Sequence, residues 1–121
     1  MLSISFYPEN GDAPRCIRVN EAFYEWLARS DFAQVGHSKL TAIEVDGETA
    51  ELPLIRLGRT TRSMLIACFN EMILGETAAM LADLEAAIAQ EALAPRTNRL
   101  KKLLELLDCL KDRGFAYLQR V

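Results

Sequence analysis

The chain has 121 residues, half of them apolar, with 14 basic and 17 acidic side chains. That length suits a single domain over residues 1–121, the composition is that of a folded globule, and a net charge of −3 argues against a dedicated nucleic-acid binder. No unbroken apolar run reaches the ~18–20 residues of a membrane span, and the start MLSISFYPENGD lacks a signal peptide's basic and apolar regions, so a cytoplasmic location away from the membrane is expected.

Leu2–Tyr7 alternates Leu2, Ile4 and Phe6 with Ser3, Ser5 and Tyr7, the two-residue period of a half-buried strand. Pro8–Pro14, rich in turn residues, reads as a loop, and Cys16–Val19 as a short second strand. Asn20 is placed to cap a helix over Glu21–Arg29, whose Phe23, Trp26 and Leu27 share one face. Ser30–Lys39 has no period and reads as irregular.

TAIEVDGETAELPLI, from Thr41 to Ile55, carries the clearest local signal. Asp46-Gly47 suits a two-residue type I′ turn, whose twist matches a hairpin. That turn sets Val45 against Glu48, Ile43 against Ala50 and Thr41 against Leu52. One face then carries Ile43, Val45, Ala50, Leu52 and Leu54; the other carries Glu44, Thr49, Glu51 and Pro53. Pro53 cannot donate to a ladder and suits an edge.

Thr60 or Thr61 is expected to cap a helix through SMLIACFNEMIL, which is apolar nearly all round and predicts a central buried helix. Gly75 predicts a kink or short break. The helix resumes over Glu76–Leu93, with Met80, Leu84, Ala87 and Ile88 on one side, and Pro95 ends it. Thr97 then caps a last helix, where Leu100, Leu103, Leu104, Leu106, Leu107 and Leu110 fall in an arc of about 160°. Lys101 and Glu105 are spaced to pair, Gly114 suits the residue just past the helix, Arg113 sits near its negative end, and FAYLQRV reads as a closing strand. The fold class is therefore α+β: a small, mostly antiparallel sheet of N-terminal strand, Thr41–Ile55 hairpin and C-terminal strand, covered on one face by three or four helices, the last two as an antiparallel pair.

Cys16, Cys68 and Cys109 are odd in number, far apart and without a CxxC pair, which suits structural thiols in a reducing compartment. Cys68 and Cys109 sit among apolar neighbours and read as buried. The one set with enough ligands for zinc, these three with His37, lacks close spacing, so neither metal nor cofactor is expected. Charge is uneven along the chain: residues 1–58 carry a net −4, residues 59–94 a net −3 and residues 95–121 a net +4. Interleaving of these segments in space would erase the asymmetry.

Five stretches bear on function. His37 is the only side chain that titrates near neutrality unaided, but no nucleophile is paired with it by motif. Arg59, Thr60, Thr61 and Arg62, before Ser63, form a polar run at a helix N-terminus, where an anion such as a phosphate or carboxylate is favoured. Glu71, if buried, would need a partner and could act as a base. Glu44, Asp46, Glu48 and Glu51 make the hairpin acidic, as a solvated face or a docking surface for a basic partner. Arg96, Arg99, Lys101 and Lys102 superficially suggest a helix-turn-helix, yet the broad leucine arc faces a core and makes nucleic acid an unfavoured partner.

The leading expectation is a non-enzymatic protein-interaction module: a small bacterial-type regulator, inhibitor or immunity-type protein binding a basic patch through Glu44, Asp46, Glu48 and Glu51. The first alternative is an anion-binding module at Arg59, Thr60, Thr61 and Arg62; the second is a small hydrolase or transferase using Glu71 or His37. A homo-oligomer, through an exposed strand edge or surplus leucine surface, is compatible with the same sequence.

Overall fold

In the computed structural model, which describes residues 2–85 and 90–120, the alternating N-terminal segment forms β1 (Leu2–Pro8), paired antiparallel with β2 (Arg15–Val19). Helix α1 (Glu21–Ala28) starts as expected, with the Asn20 side chain accepting from the Phe23 amide at 2.7 Å. The stretch read as irregular holds a 3₁₀ turn, Asp31–Gln34, capped by Ser30. The hairpin is β3 (Lys39–Val45) and β4 (Glu48–Arg56), and β5 (Phe115–Gln119) closes the sheet. Strand order is β2-β1-β5-β4-β3, every pairing antiparallel, so β2 and β3 are the edges.

The hairpin register is as read from sequence: Val45 pairs with Glu48, Ile43 with Ala50 and Thr41 with Leu52. Asp46 and Gly47 take positive φ values of 53° and 80°, as a type I′ turn demands. Beyond the expected start, β3 gains Lys39 and Leu40, which pair with Leu54 and Pro53.

Alternation along the strands separates two apolar clusters. Ile4, Phe6, Ile17, Val19, Ile55 and Leu118 join Phe23, Leu27, Leu65, Phe69 and the buried leucines of the last helix in the main core. Tyr7, one residue out of phase, instead joins Ile43 and Leu54, with Val45, Leu52 and Tyr117 against them. The hairpin's apolar face is thereby consumed by the sheet itself.

Helix α2 runs unbroken from Arg59 to Glu85, through Gly75. The anticipated kink is absent because one glycine costs an otherwise good helix only ~1 kcal/mol, and a Cβ at Gly75 would meet nothing. The helix starts at Arg59, with the Arg62 amide donating to the Gly58 carbonyl, so Thr60 and Thr61 lie inside the first turn rather than capping it. Nor is α2 buried all round: Leu65 and Phe69 reach the core, while Met64, Leu74, Leu81 and Leu84 keep more than half of their surface in water. By length and composition alone Arg59–Leu84 could cross a membrane, contrary to the reading of the unbroken sequence; the same helix packs along the last one. The expected continuation through Ala87 and Ile88 lies outside the described residues.

Helix α3 (Gln90–Lys111) contains Pro95 rather than starting after it, and Thr97 is interior. Contacts along α2 hold that first part of α3 despite the proline: Arg96 meets Asp83 at 2.8 Å and Arg99 meets Glu76 at 3.0 Å. Leu103, Leu106, Leu107 and Leu110 are buried as expected, but Leu104 is exposed. Lys102, not Lys101, pairs with Glu105. Gly114 does not take the left-handed conformation of a helix stop; its amide donates to the Asp112 carboxylate instead.

Candidate functional site

Each polar stretch singled out above has a definite place. Glu44, Asp46, Glu48 and Glu51 are all exposed, and none belongs to an ion pair among the described residues. Glu44 and Glu51 lie on the same hairpin face, opposite Thr49 and Ala42 respectively. The Glu44 carboxylate also borders the β1–β2 loop, where a Cβ on Gly11 would lie 3.5 Å from Oε2. Because β3 is an edge, its outer backbone groups have no strand partner. The arm thus offers both an acidic surface and an unpaired edge bearing the exposed Leu40.

The four residues of the anion reading are divided: Arg59 and Arg62 line one cleft, and Thr61 lines another. Arg62 also donates to the carbonyls of Leu57, Leu110, Asp112 and Phe115 at 2.5–3.3 Å. It closes the C-terminal end of α3, the role expected of Arg113 and Gly114. Burial first, and then the neighbouring Arg113 charge, lower its pKa, with Asp112 opposing them. Thr61 lines a different cleft, with His37, Lys39, Arg56 and Tyr117, while Arg59 and Arg62 share with Ser63, Lys111 and Arg113 a cleft of about 690 Å³. The C-terminal end of α3 therefore supplies cations that the linear motif did not contain.

Glu71 is exposed on α2, and the requirement for a buried partner falls away. The buried carboxylate is Glu76, which sequence reading passed over. Its Oε1 accepts from Arg99, whose guanidinium stacks 4.4 Å from the Trp26 ring centre, and Oε2 lies 4.0 Å from Arg96 without a hydrogen bond. This cluster ties α1, α2 and α3 together. Its traces in sequence were Glu76 and Asp83, seven apart on one helix, facing Arg96 and Arg99, three apart on the next.

His37 is exposed and no carboxylate lines its cleft. Among the described residues no three His, Cys, Asp or Glu side chains are grouped to hold a metal ion. Of the thiols, Cys109 is buried, Cys68 is half-buried rather than buried as expected, and Cys16 is exposed, accepting from the Ser5 hydroxyl. No protein-family model, curated protein or solved structure matches the chain.

Proposed function

We propose that this chain is a non-enzymatic protein-interaction module, a small regulator, inhibitor or immunity-type protein that docks a basic partner on the β3–β4 arm. The observation that carries the reading is the coincidence of four exposed carboxylates, without an ion pair among the described residues, with an edge strand of the sheet. On the helical side Glu76, Asp83 and Glu105 each have a basic neighbour, while Glu71 is exposed without an ion pair among the described residues. An extended segment rich in lysine or arginine could add to β3 by main-chain hydrogen bonds while its side chains meet Glu44, Glu48 and Glu51. The test is co-purification of the tagged chain from its own cells, with nuclease treatment in parallel, comparing wild type with Glu44→Lys, Glu51→Lys. A stoichiometric protein that survives nuclease and is lost on charge reversal supports the reading. Retention indifferent to the reversal removes the surface.

A second reading is favoured by one arrangement: Arg59, Ser63, Lys111 and Arg113 line one cleft, and none of its cations is ion-paired among the described residues. Here the ligand is a small phosphate or carboxylate. Calorimetric titration with nucleotides and inorganic phosphate tests it; binding weakened by Arg113→Ala supports it, and no heat at millimolar ligand dismisses it.

A further inference from the structure

The outward face of α2 is an apolar feature that neither reading uses. At alternating three- and four-residue steps it presents Met64, Ala67, Glu71, Leu74, Ala78 and Leu81, all exposed. At 100° per residue these six fall within an arc of about 100°, a single stripe. Met64, Leu74 and Leu81 are 53%, 69% and 57% exposed. Leucines half in water are ordinary singly; aligned along one helix they mark a contact surface.

We infer that this stripe pairs with the same stripe of a second copy, antiparallel, across a two-fold axis midway between Glu71 and Leu74. The pattern is self-complementary in that direction. Reversed, it sets Met64 against Leu81 of the partner subunit, and Ala67 against Ala78 of the partner subunit, so large meets large and small meets small. The alanine layers let the helix axes approach to ~8 Å, the close end of helix packing. A two-fold contact requires this kind of self-match, and a surface shaped for an unrelated partner does not.

Size and charge agree with that occupant. From Met64 to Leu81 the strip is about 26 Å long and roughly one helix diameter wide, about 300 Å² of footprint per copy. That belongs to weak, reversible interfaces rather than obligate ones. A bilayer surface is the competing occupant of an apolar helix face, but it favours lysine and arginine along the flanks. Beyond its first turn α2 instead carries only acidic charges, Glu71, Glu76, Asp83 and Glu85. The one charge on the stripe, Glu71, falls opposite Leu74 of the partner subunit and close to its own symmetry mate, which holds the dimer weak.

Sedimentation of the full chain from roughly 1 µM to 1 mM, the range where so small a contact is half formed, is the test. A monomer–dimer equilibrium is expected, abolished by Leu74→Glu and tightened about tenfold by Glu71→Leu, with unchanged circular dichroism in both variants. Orientation is read by disulfide formation in a Cys16→Ser, Cys68→Ser background. Ala67→Cys mixed with Ala78→Cys should cross-link, and Ala67→Cys alone should not. A monomer throughout, a dimer indifferent to Leu74→Glu, or the reverse cross-linking pattern overturns the proposal. So does a monomer that floats with anionic vesicles through this face. Because the hairpin variants leave α2 untouched, loss of the dimer and loss of the docking surface are read separately.

Discussion

Arg62 shows how a residue that looks like a ligand-binding cation can be spent inside the fold. Its planar fork serves carbonyls from three places in the chain: the end of α3, Leu57 in the turn before α2 and the start of β5. Replacing it with methionine leaves those carbonyls without their donor, and a loss of about 2 kcal/mol is expected in denaturant unfolding. Lysine should restore only part, since a point charge cannot fork. Arg59→Met, at an exposed position, should stay within about 0.5 kcal/mol of wild type. Equal losses at both positions would mean that the carbonyl bonds are not what matters. The thiols give a second prediction at this scale. Burial raises the pKa of Cys109 and of Cys68. An acid whose folded pKa lies above its unfolded one contributes stability in full below the unfolded value, ~8.5 for a thiol. That stability is lost as pH rises from there through the folded value, because the unfolded chain releases its protons first. Stability should therefore fall on the alkaline side, and Cys109→Ala should flatten the slope whatever it does to stability at neutral pH. Alkylation of the native protein should label Cys16 first and Cys109 last, since the thiolate is the reactive form and must be reached.

Among the elements, two glycines at positive φ separate a conformational requirement from a packing one. Gly47, at φ +80°, has open space where a Cβ would go, so Gly47→Ala carries only backbone strain, about 1 kcal/mol. At Gly36, φ +76°, a Cβ would lie 2.8 Å from Ile55 Cγ2 and 3.2 Å from Thr61 Cγ2, so strain and collision add and about 3 kcal/mol is expected. Thermal unfolding of the two variants orders them; equal costs would show that the chain around residue 36 gives way. Pro95→Ala should raise the melting temperature, because it restores a donor within α3. These positions also mark what sequence could convey. The hairpin was legible because its turn chemistry and two-residue alternation are local and agree on a single register. The boundaries of α2 and α3 were not. Pro95 and Gly75 are local stop signals, and ion pairs between α2 and α3 outweigh the first, while uninterrupted good helix formers outweigh the second. The acidic residues of the candidate surface were legible because exposed carboxylates on a hairpin need no partner to be placed. The basic cleft was not, since half of its cations arrive from the far end of another helix.

Across the whole molecule, pairing in space brings part of the basic tail against the acidic middle. Arg96 and Arg99, from the basic tail, neutralise Asp83 and Glu76 of the acidic middle, while Arg62 and Arg120 point at main-chain carbonyls. Among the described residues Glu44, Asp46, Glu48 and Glu51 of the arm belong to no ion pair, nor do Arg59, Arg62, Lys111 and Arg113 of the cleft. A partner approaching the arm feels exposed charges screened over a Debye length that shrinks from ~30 Å at 0.01 M salt to ~8 Å at physiological strength. Steering of that kind acts on the association rate more than on dissociation. With a lysine-rich peptide as probe, the on-rate measured by surface plasmon resonance should fall about tenfold between those two salt concentrations, with a much smaller change in the off-rate. Reversal of Glu44 and Glu51 to lysine should remove most of that slope. If α2 pairs two copies, each assembly presents two arms, and a surface densely coated with the peptide should retain wild type longer than Leu74→Glu, while the single-site on-rates of the two remain equal. An on-rate insensitive to salt would remove the arm's carboxylates as the steering surface, and equal retention of the two proteins on the dense surface would separate the arm's chemistry from any assembly of the chain.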